Sequence, residues 1–276
     1  MPSLSPSLPS SLILIGAGKM GGAMLEGWLK VGMPGSGVTV IDPRPSEDMT
    51  RLCAERGIAL NPAEPRTGPE VLVLATKPQM LDDAAATVNA LLGPETLVIS
   101  VLAGKTMGDL RSRLPNARAA VRAMPNLPAS IGRGATGAAA SPEVGEAQRQ
   151  IADALLRSVG IVEWVDSEDL IDAVTAVSGS GPAYVFYLAE CLAEAGTRAG
   201  LPVDLARRLA RATVTGAGEL LFQSELPPET LRQNVTSPGG TTAAALQVLM
   251  ADPAGLKALM GDAVAAAKRR AEELAG

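Results

Sequence analysis

The run Leu12-Ile13-Leu14-Ile15-Gly16-Ala17-Gly18-Lys19-Met20-Gly21-Gly22-Ala23 decides the fold of this chain. Four successive aliphatic residues read as a strand covered on both faces, and they pass directly into a glycine turn and a helix reaching about Gly32. Gly16 permits the tight turn, Gly18 lets the backbone approach a pyrophosphate, and Gly21 or Gly22 lets the helix pack close to the strand. A lone glycine motif of this spacing is weak, and its alternative is a purely structural turn. Its place after an apolar strand and at a helix start points instead to a dinucleotide, held by Gly16, Ala17, Gly18, Lys19 and Met20.

Working outward, a second strand over Val38 to Ile41 ends in Asp42-Pro43-Arg44, where the adenosine ribose belongs. Asp42 suits the free 2′-hydroxyl of NAD, Arg44 suits the 2′-phosphate of NADP, and a solvated pair on a turn is the alternative to both. The apolar run Val71-Leu72-Val73-Leu74-Ala75 reads as a buried parallel strand. Ligands lie beyond the carboxyl ends of such strands, so Ala75, Thr76, Lys77 and Pro78 are expected beside the cofactor, although Lys77 also fits an ordinary surface lysine. Leu97 to Val101 leads into Ala103-Gly104, and Ala119 to Arg122 leads into Met124-Pro125-Asn126-Leu127-Pro128. Asn126, in a loop stiffened by two prolines, is a candidate partner for the nicotinamide or substrate, its alternative being a rigid turn. Strands near 136–140 and 160–165, with a helix between them, extend the sheet. Alternating strands and helices to about residue 165 describe an α/β doubly wound domain of the Rossmann type.

From Asp166 the strands stop, and helical segments follow, punctuated near Gly181, Pro202, Pro227 and Pro238. The expected organisation is a disordered tail over 1–11, a dinucleotide-binding domain over 12–165 and an all-helical domain over 166–276. Within the latter, Ala183-Tyr184-Val185-Phe186-Tyr187-Leu188-Ala189 is apolar nearly all round. A helix without a polar face is buried on every side, and a small helical domain cannot surround it, so a second subunit is expected to cover it.

The 276 residues are 47% hydrophobic, enough for a full core, and carry a formal net charge of -5 with a pI near 5.0. Such a surface does not suit nucleic acid. The apolar stretch at Ala183 is cut by Glu190 well short of a bilayer span, which argues against membrane insertion. The leader is rich in Ser and Pro without a cationic start or an apolar centre, which argues against a signal peptide and for the cytoplasm. Cys53 and Cys191 are isolated and read as reduced thiols. The chain has no histidine, which removes Ser-His-Asp hydrolysis, His-ligated zinc and an imidazole general acid. No carboxylate cluster replaces them as a metal site. Chemistry must therefore rest on a cofactor, backbone dipoles or hydroxyls.

Ser237-Pro238-Gly239-Gly240-Thr241-Thr242 supplies such dipoles. Two glycines free the backbone to turn, and the following helix points its unpaired N–H groups back at that turn. The segment suits a carboxylate; the alternative is simply a capped helix after a turn.

The segments GAGKMG at Gly16–Gly21, KPQ at Lys77–Gln79, RAMPNLP at Arg122–Pro128, AVSGSGPAY at Ala176–Tyr184 and VTSPGGTT at Val235–Thr242 together resemble the pyrroline-5-carboxylate reductases over nearly the whole chain. That resemblance implies reduction of the cyclic imine 1-pyrroline-5-carboxylate with NADPH, or with NADH, in the last step of proline synthesis. It implies that Ser237 and the Gly239-Gly240-Thr241 backbone hold the substrate carboxylate, that Thr242 bonds the ring nitrogen and serves as the catalytic hydroxyl, and that Asn234 supports them. It also implies a homodimer with interlocked helical domains, assembled in some members as a decamer of five dimers. Two other readings are weighed. A β-hydroxyacid dehydrogenase needs a catalytic lysine in an interdomain helix, and beyond Lys105 this chain has only Lys257 and Lys268. A non-catalytic nicotinamide-binding regulator would have no need of the Ser237–Thr242 loop.

Overall fold

The computed structural model describes residues 8–275. The chain divides into two compact units, residues 8–179 with 268–275, and Ser180–Ala267. In the first, eight strands form one sheet: β1 (Leu12–Ile15), β2 (Val38–Ile41), β3 (Ala59–Leu60), β4 (Val71–Leu74), β5 (Leu97–Ser100), β6 (Ala119–Met124), β7 (Gly134–Ala140) and β8 (Gly160–Trp164). Their order is β3-β2-β1-β4-β5-β6-β7-β8. The first six follow the doubly wound dinucleotide-binding order, with the reversal beside β1. They pair in parallel, β7 runs antiparallel to β6, and β8 is again parallel to β7.

Side chains alternate across the sheet, so each continuous apolar strand feeds two cores. Leu12, Leu14, Val71 and Val73 face one layer, against Met24, Leu25 and Trp28 of α1 (Lys19–Lys30). Ile13, Ile15, Leu72 and Leu74 face the other, against Leu81 and Val88 of α3 (Leu81–Leu91) and Leu110 of α4 (Met107–Arg113). Between them in sequence lies α2 (Glu47–Arg56), capped by the Ser46 hydroxyl, which accepts the Met49 N–H at 3.1 Å. The helix α5 (Glu146–Arg157) joins the first layer and accepts the Trp28 indole N–H at the Leu155 carbonyl, 3.0 Å away.

Two details differ from the sequence reading. Of the tail expected over 1–11, residues 1–7 lie outside the described residues, whereas Leu8–Ser11 are fixed: Leu8 packs on the first core layer. The Ser10 N–H also donates to Glu70 at 2.7 Å, and the Glu70 N–H donates to the Ser11 hydroxyl at 3.0 Å. The first unit also continues past residue 165, through α6 (Leu170–Val174) and a wide π-type turn over Thr175–Gly179. A buried ion pair explains this. The Arg122 guanidinium, on β6, donates to Glu168 at 3.1 Å and to Asp172 at 3.3 Å, with only 5% of its side chain exposed.

The second unit is helical: α7 (Gly181–Arg198), α8 (Val203–Gln223), α9 (Pro228–Asn234), α10 (Thr241–Leu249) and most of α11 (Leu256–Ala275), whose end from Lys268 onward belongs to the first unit. Gly200, with φ 103°, ends α7 and lets the chain reverse into α8. Gly196 then packs against Ala206, where a side-chain carbon would come within 3.3 Å.

Candidate active site

The glycine turn lies at the carboxyl edge of β1. Gly16 takes φ 87°, and a Cβ there would stand 2.8 Å from the Thr76 nitrogen, so glycine is required both by conformation and by the close passage of the Ala75-Thr76 backbone. A Cβ on Gly21 would overlap the Gly16 carbonyl oxygen, so α1 packs on the turn only through a glycine. Gly18 differs. A Cβ there would meet nothing within 4 Å, and as N-cap of α1 it has no side-chain cap, so the first-turn N–H groups of α1 face an open cradle. These residues fit a dinucleotide pyrophosphate.

The cradle opens into a cleft of about 680 Å³ bordered by Ala17, Gly18, Lys19, Asp42, Arg44 and Arg51. Asp42 is half-buried; its Oδ2 accepts the Ala17 N–H at 2.8 Å and its Oδ1 accepts the Arg44 N–H at 2.8 Å. Arg51 is paired with Asp48. The exposed Arg44 side chain has no ion-pair partner among the described residues. Further along the edge, Ala75 and Thr76 are half-buried under the turn, Pro78 opens a short 3-10 turn (Pro78–Met80), and Lys77 is exposed at its start.

A second cavity of about 400 Å³ is bordered by Lys19, Met20, Pro125, Asn126 and Gly179. Asn126 is buried, and its amide bridges two segments: Nδ2 donates to the Ser178 carbonyl at 3.0 Å, and Oδ1 accepts the Ala135 N–H at 2.9 Å. One amide N–H remains for a ligand. The ion pair at Arg122 fixes α6, α6 leads into the Thr175–Gly179 turn, and that turn supplies the Ser178 carbonyl. The motif residues Arg122 and Asn126 are thus tied to Asp172 and Ser178, links that depend on contacts some fifty positions apart and that no local pattern signals.

The loop before α10 forms in the second unit. The Gly240 N–H donates to the Ser237 carbonyl at 3.0 Å, with Pro238 and Gly239 between them and Gly239 at φ 70°. Pro in the first central place and a positive-φ glycine in the second define a type II turn. Gly240 then starts α10 with no side-chain cap, leaving the N–H groups of Thr241, Thr242 and Ala243 without intrahelical partners. A Cβ on Gly240 would overlap the Ser237 hydroxyl, so the second glycine is what lets that hydroxyl lie over the turn. Asn234 ends α9, exposed, and Thr236 returns its hydroxyl to the Arg232 carbonyl at 2.6 Å. Among the described residues no His, Cys, Asp and Glu cluster could hold a metal ion.

A doubly wound sheet with an open glycine cradle at its switch point, joined to a helical unit carrying an uncapped turn, defines an NAD(P)H-dependent oxidoreductase. Residues 11–104 match the family described as NADP oxidoreductase coenzyme F420-dependent, and residues 168–274 match pyrroline-5-carboxylate reductase dimerisation. The chain is 40% identical over 266 residues to a pyrroline-5-carboxylate reductase of Pseudomonas aeruginosa, covering 96% of each. A pyrroline-5-carboxylate reductase structure from Coxiella burnetii superposes with a TM-score of 0.88 at 36% identity, covering 97% of this chain and 99% of that one. The Plasmodium falciparum pyrroline carboxylate reductase, solved with NADP bound, gives 0.79 at 25% identity, covering 98% and 100%. The chain belongs to the pyrroline-5-carboxylate reductase family.

Proposed function

We propose that this protein reduces 1-pyrroline-5-carboxylate to L-proline with NADPH, as a homodimer that assembles further into a decamer, in the cytoplasm. The observation that carries the substrate assignment is the Ser237–Gly240 turn feeding an uncapped nine-residue helix. The three N–H groups that lack intrahelical partners, together with the Ser237 hydroxyl, are the donors this reading assigns to the substrate carboxylate. The helix dipole contributes about 0.3–1 kcal/mol to such an anion, and each hydrogen bond to the charged group about 1.5–3 kcal/mol. Hydrogen bonding therefore dominates, and binding does not need a basic side chain. Asn234 supports the loop from the end of α9.

The nucleotide pyrophosphate lies on Gly16, Ala17, Gly18 and the start of α1, with Lys19 and Met20 beside it and the 2′-phosphate on Arg44. When bound, NADPH supplies the hydride that the imine carbon receives. The protein's part is to orient and to move a proton. The ring nitrogen ends the reaction carrying one more hydrogen, and the Thr242 hydroxyl, at the second position of α10, bonds that nitrogen and guides its proton. A threonine hydroxyl is too weak an acid to deliver the proton alone, so its share is orientation.

The direct test follows NADPH absorbance after addition of pyrroline-5-carboxylate, and then NAD reduction with a 3-hydroxy acid. Oxidation of NADPH in the first and silence in the second is the expected result. Turnover of the hydroxy acid would favour a β-hydroxyacid dehydrogenase, and no turnover of either a regulator.

A further inference from the structure

We propose that Asp42 is a positioning residue for the pyrophosphate turn, held in place by Asn61, and not a reader of the adenosine ribose. The inference rests on the reading that a nicotinamide dinucleotide binds at Gly16–Gly18. An acid at the end of the second strand of this fold ordinarily accepts from the ribose 2′-hydroxyl and disfavours a 2′-phosphate. Here each carboxylate oxygen already accepts a backbone N–H, one from Ala17 and one from Arg44, each at 2.8 Å, so the carboxylate bridges the glycine turn and the turn after β2.

The Asp42 backbone is clasped from behind. Asn61 Oδ1 accepts the Asp42 N–H at 2.9 Å, and Asn61 Nδ2 donates to the Asp42 carbonyl at 2.8 Å. To do so Asn61 takes φ 47°, the only positive φ at a non-glycine position among the described residues. Its own N–H donates to the Val40 carbonyl at 2.8 Å, which anchors the clasp to the sheet. A left-handed residue whose side-chain amide satisfies both backbone groups of one neighbour is a device for fixing that neighbour.

The consequence falls on the glycine turn. Two successive N–H groups of the turn are fastened to the second strand, Gly16 to the Ile41 carbonyl at 2.8 Å and Ala17 to Asp42. Those that follow, at the start of α1, are left for the ligand. The same carboxylate fixes the backbone of Arg44, the cation proposed for the 2′-phosphate. An acid that elsewhere excludes the phosphorylated cofactor here mounts the arginine that receives it.

The test uses Asp42→Asn and Asn61→Gly in the full-length protein, with NADPH and NADH titrated by cofactor fluorescence in the absence of substrate. Asparagine keeps one acceptor and turns an N–H donor against the other backbone donor, so both cofactors are expected to weaken together, about tenfold. Asn61→Gly keeps the positive φ and removes the clasp. It is expected to weaken both cofactors less, and it carries the test alone if Asp42→Asn fails to fold. In neither variant is NADH expected to weaken more than NADPH, because a loosened Arg44 adds only to the loss of the phosphorylated cofactor. Inorganic pyrophosphate, which has no ribose, is expected to lose potency as a competitor of NADPH in parallel. Weakened NADH binding with NADPH spared or tightened would assign Asp42 to the ribose and overturn the proposal, as would unchanged binding of both cofactors or of pyrophosphate. A parent protein that binds neither cofactor would overturn the dinucleotide reading itself, before any variant is compared.

Discussion

At the scale of single residues, the site is built largely from what side chains leave out. A Cβ at position 21 would overlap the Gly16 carbonyl, so Gly21→Ala must push α1 off the turn or distort the turn itself. The expected outcome is loss of NADPH binding by fluorescence titration, with thermal stability lowered by about 1–3 kcal/mol as overpacking implies. In the substrate loop, Ser237→Ala removes one hydrogen bond to a charged group, and the KM for pyrroline-5-carboxylate is expected to rise about tenfold with kcat little changed. Thr242→Ala separates orientation from binding: a fall in kcat supports the role given to its hydroxyl, and full turnover would discard it. Arg44→Ala is expected to lower the NADPH to NADH preference, and an unchanged ratio would remove Arg44 from the 2′-phosphate. The glycines were legible in the sequence because their spacing is local and their reason steric. Asn61 was not, although asparagine after a strand is a hint of positive φ, because its two partners are both on Asp42, nineteen positions away.

At the scale of elements, legibility follows how a segment's partners are distributed along the chain. β1, β2, β4 and β5 are apolar runs that announce themselves, whereas β3 is two residues long and exists only because it pairs beside β2. α6 and the Thr175–Gly179 turn belong to the first unit through Arg122, Glu168 and Asp172, a three-residue ion cluster whose members read separately as unremarkable charges. A local cap is different. Thr106 and Asp109 form a reciprocal capping box at α4, with both the Thr106 N–H and its hydroxyl donating to Asp109 at 3.0 Å. Burial alone would raise the Asp109 carboxyl, but the bonds from Thr106 and the nearby Lys105 and Arg113 charges outweigh it and hold the pKa below the usual carboxylate value. A folded-state pKa lowered in this way gives stability that is complete above the unfolded carboxylate range and is lost as pH falls through the folded value. Thr106→Ala is therefore expected to cost about 1 kcal/mol at neutral pH, with the difference from the parent shrinking in urea melts taken at progressively more acid pH. A deficit that stayed constant into the acid range would leave only the bond from the Asp109 N–H to the Thr106 hydroxyl and remove the carboxylate from the account.

At the scale of the whole molecule, the helical unit does not account for its own hydrophobicity. Along α7, Val185, Phe186, Tyr187 and Leu188 are exposed in the single chain, Phe186 by 55% and Tyr187 by 67%. On α8, Leu220 and Leu221 are exposed as well. Monomers rarely leave contiguous apolar surface of this kind open, and no helix among the described residues is long and apolar enough to cross a membrane. The match of residues 168–274 to a dimerisation family supplies the remaining alternative, a second copy of the chain. In a two-fold interface each substitution acts twice. Burying one large apolar side chain is worth about 1.5–3 kcal/mol, and placing a carboxylate there adds a desolvation cost. Phe186→Glu is thus expected to weaken dimerisation by at least about a hundredfold, since each 1.4 kcal/mol is a factor of ten. Sedimentation velocity at micromolar concentration should then show a monomer where the parent sediments as an oligomer, and the melting temperature should fall and lose the concentration dependence of the parent. NADPH titration separates the two levels of organisation. The glycine cradle, the Asp42 clasp and the 680 Å³ cleft all lie within the first unit, so the dissociated variant is expected to keep cofactor binding. If Phe186→Glu sediments like the parent, α7 is not the surface that joins the copies.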